Sequence, residues 1–155
     1  MKSQAEIQAL AEIKIQAAEH LMTAGFYDDA YYLAGYALEL ILKAKICKTL
    51  CIEDFFDFES SSKRKLSGGA KKSGRDTSGL YKPFKVHDYE QLFILSGVFE
   101  QFTNKQIGDL AFSADWSIVS KWDEGLRYTS GANEADVKAF IRSIKSITTW
   151  LKLLP

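Results

Sequence analysis

The chain predicts an all-α fold, an up-and-down bundle of four long helices with one short helix, on three observations. Apolar residues recur at spacings of three and four over long stretches, most clearly at Val137, Phe140, Ile141, Ile144, Ile147, Thr148, Leu151 and Leu154. No segment alternates apolar and polar residues as a half-buried strand would. Only two prolines fall in 155 residues, and five of the ten glycines lie between positions 68 and 97, so most of the chain is free to run as helix.

The elements follow in order. Ser3 with Glu6 forms a capping-box pattern that opens a first helix running to about Ala24, with Gly25 as its stop. Its expected inner stripe is Ile7, Leu10, Ile13, Ala17 and Leu21. Asp28 or Asp29 is the expected cap of a second helix ending near Leu50. That helix is apolar almost all round, the pattern of a buried central helix. Its alanines, among them Ala34, Ala37 and Ala44, allow a neighbouring helix to come close. A further helix opens at His87 or Asp88, with Leu92, Leu95, Val98, Phe99 and Phe102 on its apolar face. A shorter helix is expected over Asn104–Phe112 and another from Asp115 to about Arg127. A turn at 128–132 precedes the last helix, which Asn133 caps with Asp136.

Composition narrows the function. Apolar residues make up 46% and aromatic residues 13% of the chain, which excludes a disordered protein and allows one domain with a substantial core. Lys+Arg and Asp+Glu are equal at 20 each, so no global charge recruits nucleic acid or a membrane surface. No run of eighteen apolar residues and no N-terminal apolar region is present, and a cytoplasmic protein without membrane contact is the expectation. Cys47 and Cys51 supply half of a zinc site, and no Cys or His pair elsewhere completes it. Neither metal nor cofactor is therefore expected, and the thiols read as reduced.

Two polar features stand out. Glu39 and Lys43 lie one turn apart inside the apolar second helix, where charge must be paired or functional. Residues 59–80 form a polar loop carrying Lys63, Arg64, Lys65, Lys71, Lys72 and Arg75, with no acid between 60 and 75. That loop is either a solvated connection or a patch able to follow a phosphate backbone.

Three blocks together resemble the HEPN domain family, helical domains associated with nucleotides and RNA. The first is Ala34-x-x-Ala37-x-Glu39-x-x-Leu42-Lys43-Ala44. The second is Val86-His87-Asp88-Tyr89-Glu90-Gln91-Leu92, similar to the opening of the family's third helix. The third is Trp122-Asp123-Glu124-Gly125-Leu126-Arg127-Tyr128, similar to the Arg-Tyr ending of the helix that follows. The resemblance spans nearly the whole chain. It implies a helical bundle that dimerises, with a site at the dimer face, and a role as ribonuclease, toxin or partner of a minimal nucleotidyltransferase.

The chain departs from the family at the point that decides activity. Active members place a histidine after an arginine with four to six residues between them. Arg127 matches that arginine, but 132 to 134 hold Ala132, Asn133 and Glu134, and the two histidines are His20 and His87. Metal-free RNA cleavage needs a base for the 2′-hydroxyl and a cation for the phosphate. Asparagine cannot exchange a proton near neutral pH. Lys82, with four residues before His87, offers a variant pair, but lysine lacks the bidentate fork of arginine.

The leading expectation is thus a non-catalytic protein that binds a nucleotide, RNA or a nucleotidyltransferase partner as a homodimer, within a toxin–antitoxin or defence module. Arg127, Tyr128, Glu39, Lys43 and Asn133 are its candidate ligand or phosphate residues. Each has a structural alternative: Glu39 an ion pair with Lys43 or Arg127, Arg127 a pair with Glu39 or Asp123, and the tyrosines (Tyr27, Tyr31, Tyr32, Tyr36 and Tyr128) packing rather than base stacking. The rival is a metal-independent ribonuclease that uses His87 with Arg127 or Lys82. A plain interaction scaffold is the third reading.

Overall fold

The structure, a computed structural model, describes residues 3–51 and 86–155. Every regular element among them is helical: α1 (Gln4–Thr23), α2 (Tyr27–Leu50), α3 (Tyr89–Leu95), α4 (Phe99–Gly108), α5 (Leu110–Val119), a 3-10 helix (Glu124–Tyr128) and α6 (Glu134–Leu153). No described helix is long and apolar enough to cross a membrane. The expected basic loop, with Lys63, Arg64, Lys65, Lys71, Lys72 and Arg75, and Lys82 as well, lies outside the described residues.

The central helix is α2, and α1, α3, α6 and the 3-10 helix all pack on it. Leu38, Ile41, Leu42 and Ile46 are buried along it, and so is the alanine series Ala30, Ala34, Ala37 and Ala44. Small residues let neighbouring backbones approach, and overpacking such a contact is costly. Ala37→Leu should therefore lower stability by ~1–3 kcal/mol in urea denaturation; an unchanged midpoint would show that this contact has room to spare.

Several boundaries match the sequence expectations. Ser3 accepts from the Glu6 N–H while the Glu6 carboxylate accepts from Ser3 N–H, completing the capping box. Gly25 follows the α1 end with a φ of 85°, a conformation that disfavours any residue with a Cβ. Asn133 Oδ1 accepts from the Asp136 N–H and starts α6. The α6 stripe reads as expected, with Val137, Phe140, Ile141, Ile144, Ile147 and Leu151 all buried.

Other expectations are corrected. The α1 stripe is shifted in phase: Ile7, Ala11, Ile15 and Ala18 are buried, whereas Ile13 is 57% exposed. The helix meets α2 partly through alanines, so its inner face is not marked by its larger side chains. The α2 cap is Phe26, without a side-chain bond, and not Asp28 or Asp29, which sit in the first turn. Both carboxylates still favour the positive end of the helix, and Asp28 Oδ1 accepts from the Ala132 N–H at 2.9 Å.

The stretch after His87 is more broken than its apolar face implies. α3 stops at Leu95 because Ser96 Oγ turns back to donate to the Phe93 carbonyl and Gly97 adopts a φ of 75°. Asp109 then ends α4 and caps α5 through the Phe112 N–H, so neither Asn104–Phe112 nor Asp115–Arg127 forms a single helix. Three helices of twenty or more residues, α1, α2 and α6, are present among the described residues, with α3, α4 and α5 shorter.

Candidate phosphate-binding site

The candidate residues Glu39, Lys43, His87, Arg127 and Tyr128 lie on α2 and on the two segments packed against it, the start of α3 and the 3-10 helix. The anchor is Glu39, which α2 carries into the core at 1% exposure. One turn on, Lys43 Nζ donates to Glu39 Oε1 at 2.6 Å, the pair read from sequence. His87 Nδ1 meets the same oxygen at 3.0 Å. Glu39 Oε2, also buried, has no hydrogen-bond partner among the described residues.

His87 sits just before the Asp88 cap of α3, whose side chain accepts from the Gln91 N–H. Cap bonding thus occupies Asp88 and leaves the imidazole free to bridge. Its Nε2 lies 3.0 Å from Glu124 Oε2, and that oxygen also accepts from the Arg127 guanidinium at 3.2 Å. A carboxylate oxygen can only accept; a ring facing two of them donates from both nitrogens when protonated and from one when neutral. His87 and Arg127 are both 43% exposed along their side chains, so this end of the chain of contacts is open to solvent.

Arg127 pairs with Glu124 and not, as expected, with Glu39 or Asp123. The reason is local. Asp123 is the N-cap of the 3-10 helix and its Oδ1 is held by the Gly125 N–H at 2.7 Å. Glu124, three residues before Arg127 on a three-residue turn, eclipses it. The guanidinium also lies 5.2 Å from the centroid of the Tyr128 ring, which is 82% exposed. An exposed phenol ring held beside an exposed guanidinium gives a flat apolar surface next to a cation.

Asn133 does not join this group: its Oδ1 and Nδ2 are both engaged with Asp136 in the α6 cap. The remaining tyrosines pack. Tyr31 stacks on Phe140, and Tyr32 stacks on Trp122 and Tyr36. Burial and then the Glu39 carboxylate raise the Tyr36 phenol above its ordinary range. The same two causes, in that order, push buried Tyr89 well above it. Tyr89 stays protonated and donates to the Gly35 carbonyl at 2.8 Å.

Glu124 and Trp122 are the site residues that sequence reasoning missed, although both fall in the third block. Spacing alone could have flagged Glu124, three residues from Arg127. Trp122 is buried and closes the inner wall of an open groove of about 330 Å³ shared with Val86, His87, Asp88, Gln91 and Glu124. A separate cleft of about 420 Å³ includes Asp28, Tyr31, Lys121 and Asp136. Its two carboxylates already hold the Ala132 N–H and the Asn133 amide, so it presents less unassigned chemistry. No group of three or more metal-ligating side chains occurs among the described residues, and Cys47 is buried while Cys51 is exposed.

Comparison with family models, with curated proteins and with solved structures gives no match to this chain, and the functional reading rests on these side chains.

Proposed function

We propose that the chain is a HEPN-like helical-bundle protein that binds a nucleotide or RNA, with Arg127 and His87 taking a phosphate and Tyr128 stacking a base. The supporting observation is the convergence of the His87 Nε2 and the Arg127 guanidinium on one solvent-reachable oxygen, beside an exposed aromatic ring. A guanidinium donor and an imidazole nitrogen that close to one anionic oxygen supply the elements of a phosphate clamp. An exposed ring beside them suits a base that is not paired in a duplex. On this reading the protein is a homodimer, partnered by a minimal nucleotidyltransferase in a toxin–antitoxin or defence module.

A second reading, metal-independent ribonuclease, is favoured by one specific contact, Glu39 to His87 Nδ1. A buried carboxylate that accepts from Nδ1–H fixes the tautomer with a lone pair on Nε2, which is available as a base once Glu124 Oε2, now 3.0 Å away, has moved off it. That nitrogen would take the 2′-hydroxyl proton as the 2′-oxygen bonds to phosphorus, while the bond from phosphorus to the 5′-oxygen breaks and that oxygen takes a proton from solvent water. Arg127 would hold the phosphoryl oxygens.

One experiment separates the two. Labelled single-stranded RNA is titrated with the protein in EDTA, and binding and cleavage are read together for wild type, Arg127→Ala and His87→Ala. Arg127→Ala should weaken binding about tenfold or more, the size of a lost charge-assisted hydrogen bond, with the RNA left intact in all three. Cleavage lost in His87→Ala moves the function to the ribonuclease. Absence of RNA and nucleotide binding by wild type, or binding indifferent to Arg127, removes the leading reading.

A further inference from the structure

We infer that Glu124 is an internal anion plug: its carboxylate occupies the position of a ligand phosphate, and a ligand binds by displacing it. The inference rests on the phosphate-binding reading and adds the device that gates that site.

The geometry is specific. One oxygen, Glu124 Oε2, lies 3.0 Å from His87 Nε2 and accepts from the Arg127 guanidinium at 3.2 Å. The Arg127 contact follows from the three-residue turn that both side chains share, but nothing local brings His87 to the same oxygen. His87 is fixed from behind by Glu39, 48 residues away in sequence, and Arg127 is set by the 3-10 helix. The carboxylate therefore sits where donors from two separate elements converge, as an oxyanion would.

The plug is also easy to remove. The 3-10 helix that carries it has five residues and no buried one, and short helices of this type are weakly bonded. Glu124 is 44% exposed along its side chain, so its pairs are screened by water and weak. A phosphate carries more charge and more acceptor oxygens than one carboxylate, and competes well for the same donors. The groove beside His87 and Trp122 gives the displaced side chain an open path. Glu124 thereby excludes weak anions such as chloride, and it keeps Arg127 and His87 in position while the site is empty.

The test uses inorganic phosphate as the probe on the full chain. Binding is followed by the ¹⁵N and ¹H shifts of the His87 imidazole, a signal that a purely structural Glu124 would not couple to phosphate. Glu124→Ala should bind phosphate about two- to fivefold more tightly than wild type, the gain expected on removing a weak exposed competitor. Glu124→Gln, which keeps the size and drops the charge, should gain in the same direction and guards against a folding defect in the alanine variant. The gain should vanish in Glu124→Ala/Arg127→Ala. Equal or weaker binding by both Glu124 variants overturns the plug, as does a gain that survives loss of Arg127. The RNA titration judges the phosphate-binding reading separately, through Arg127 with Glu124 in place.

Discussion

Gly35→Ala should be among the most damaging single-methyl changes in this protein, lowering stability by about 3 kcal/mol and the melting temperature by ~6–12 °C. A Cβ on Gly35 would lie 2.2 Å from Trp122 Nε1 and 2.3 Å from its Cδ1. The indole cannot step aside. It is buried, stacked on Tyr89 at 5.1 Å between centroids and on Tyr32 at 6.0 Å. Alanine is the better helix former by about 1 kcal/mol, so any loss measured understates the clash. The same position accepts the Tyr89 hydroxyl through its carbonyl, so α2, α3 and the segment leading to Glu124 meet at one glycine. Gly108→Ala is the control, since a Cβ there has no neighbour within 4 Å; it should leave stability unchanged or slightly raised. Equal midpoints for both variants in urea denaturation would show that Trp122 has somewhere to go.

How much of this was legible in the chain depended on whether the deciding interaction was local. The capping box of α1, the Gly25 stop and the Asn133 cap involve residues three or four apart, and all were readable. The α6 stripe was readable because its inner face is made of large apolar residues. The α1 stripe was misread because Ala11 and Ala18 do the burying while Ile13 faces water. Side-chain size is a poor guide where helices approach closely. The run from Leu92 to Phe102 kept helical spacing across Gly97 because Leu92, Val98 and Phe102 are buried in spite of the break between α3 and α4. Periodicity reports which residues are buried, not whether the backbone between them is continuous.

The site followed the same rule. Lys43 with Glu39 is a one-turn pair and was read directly. The contact of His87 with Glu39 joins α2 to the residue before α3, and no sequence spacing encodes it. The candidate residues therefore came from chemical type, and their assembly, through a Glu124 that had drawn no attention, came from the fold. Asn133 shows the opposite error: a residue chosen for its amide was already committed to a cap.

Lys43→Met should cost about 3 kcal/mol, a loss of the size seen when a buried ion pair loses one partner. Glu39 is 1% exposed, one of its oxygens has no partner among the described residues, and the other is shared by Lys43 and His87. Without Lys43, the buried carboxylate keeps only the imidazole among the described residues. Methionine preserves most of the lysine stem, so the packing loss is small and the charge dominates. The discriminating variant is therefore Glu39→Gln/Lys43→Met, which removes the buried charge along with its cation. It should be more stable than Lys43→Met alone, because an amide is far cheaper to bury than an unpaired carboxylate. Urea denaturation of wild type, both single variants and the double variant gives the coupling energy directly. Additive losses would mean that Lys43 contributes by packing and that Glu39 is not held by charge. A large coupling would place the burial of Glu39 under the control of Lys43, and with it the firmness of the support behind His87. The stability of α2 and the orientation of the imidazole would then be set by a single carboxylate.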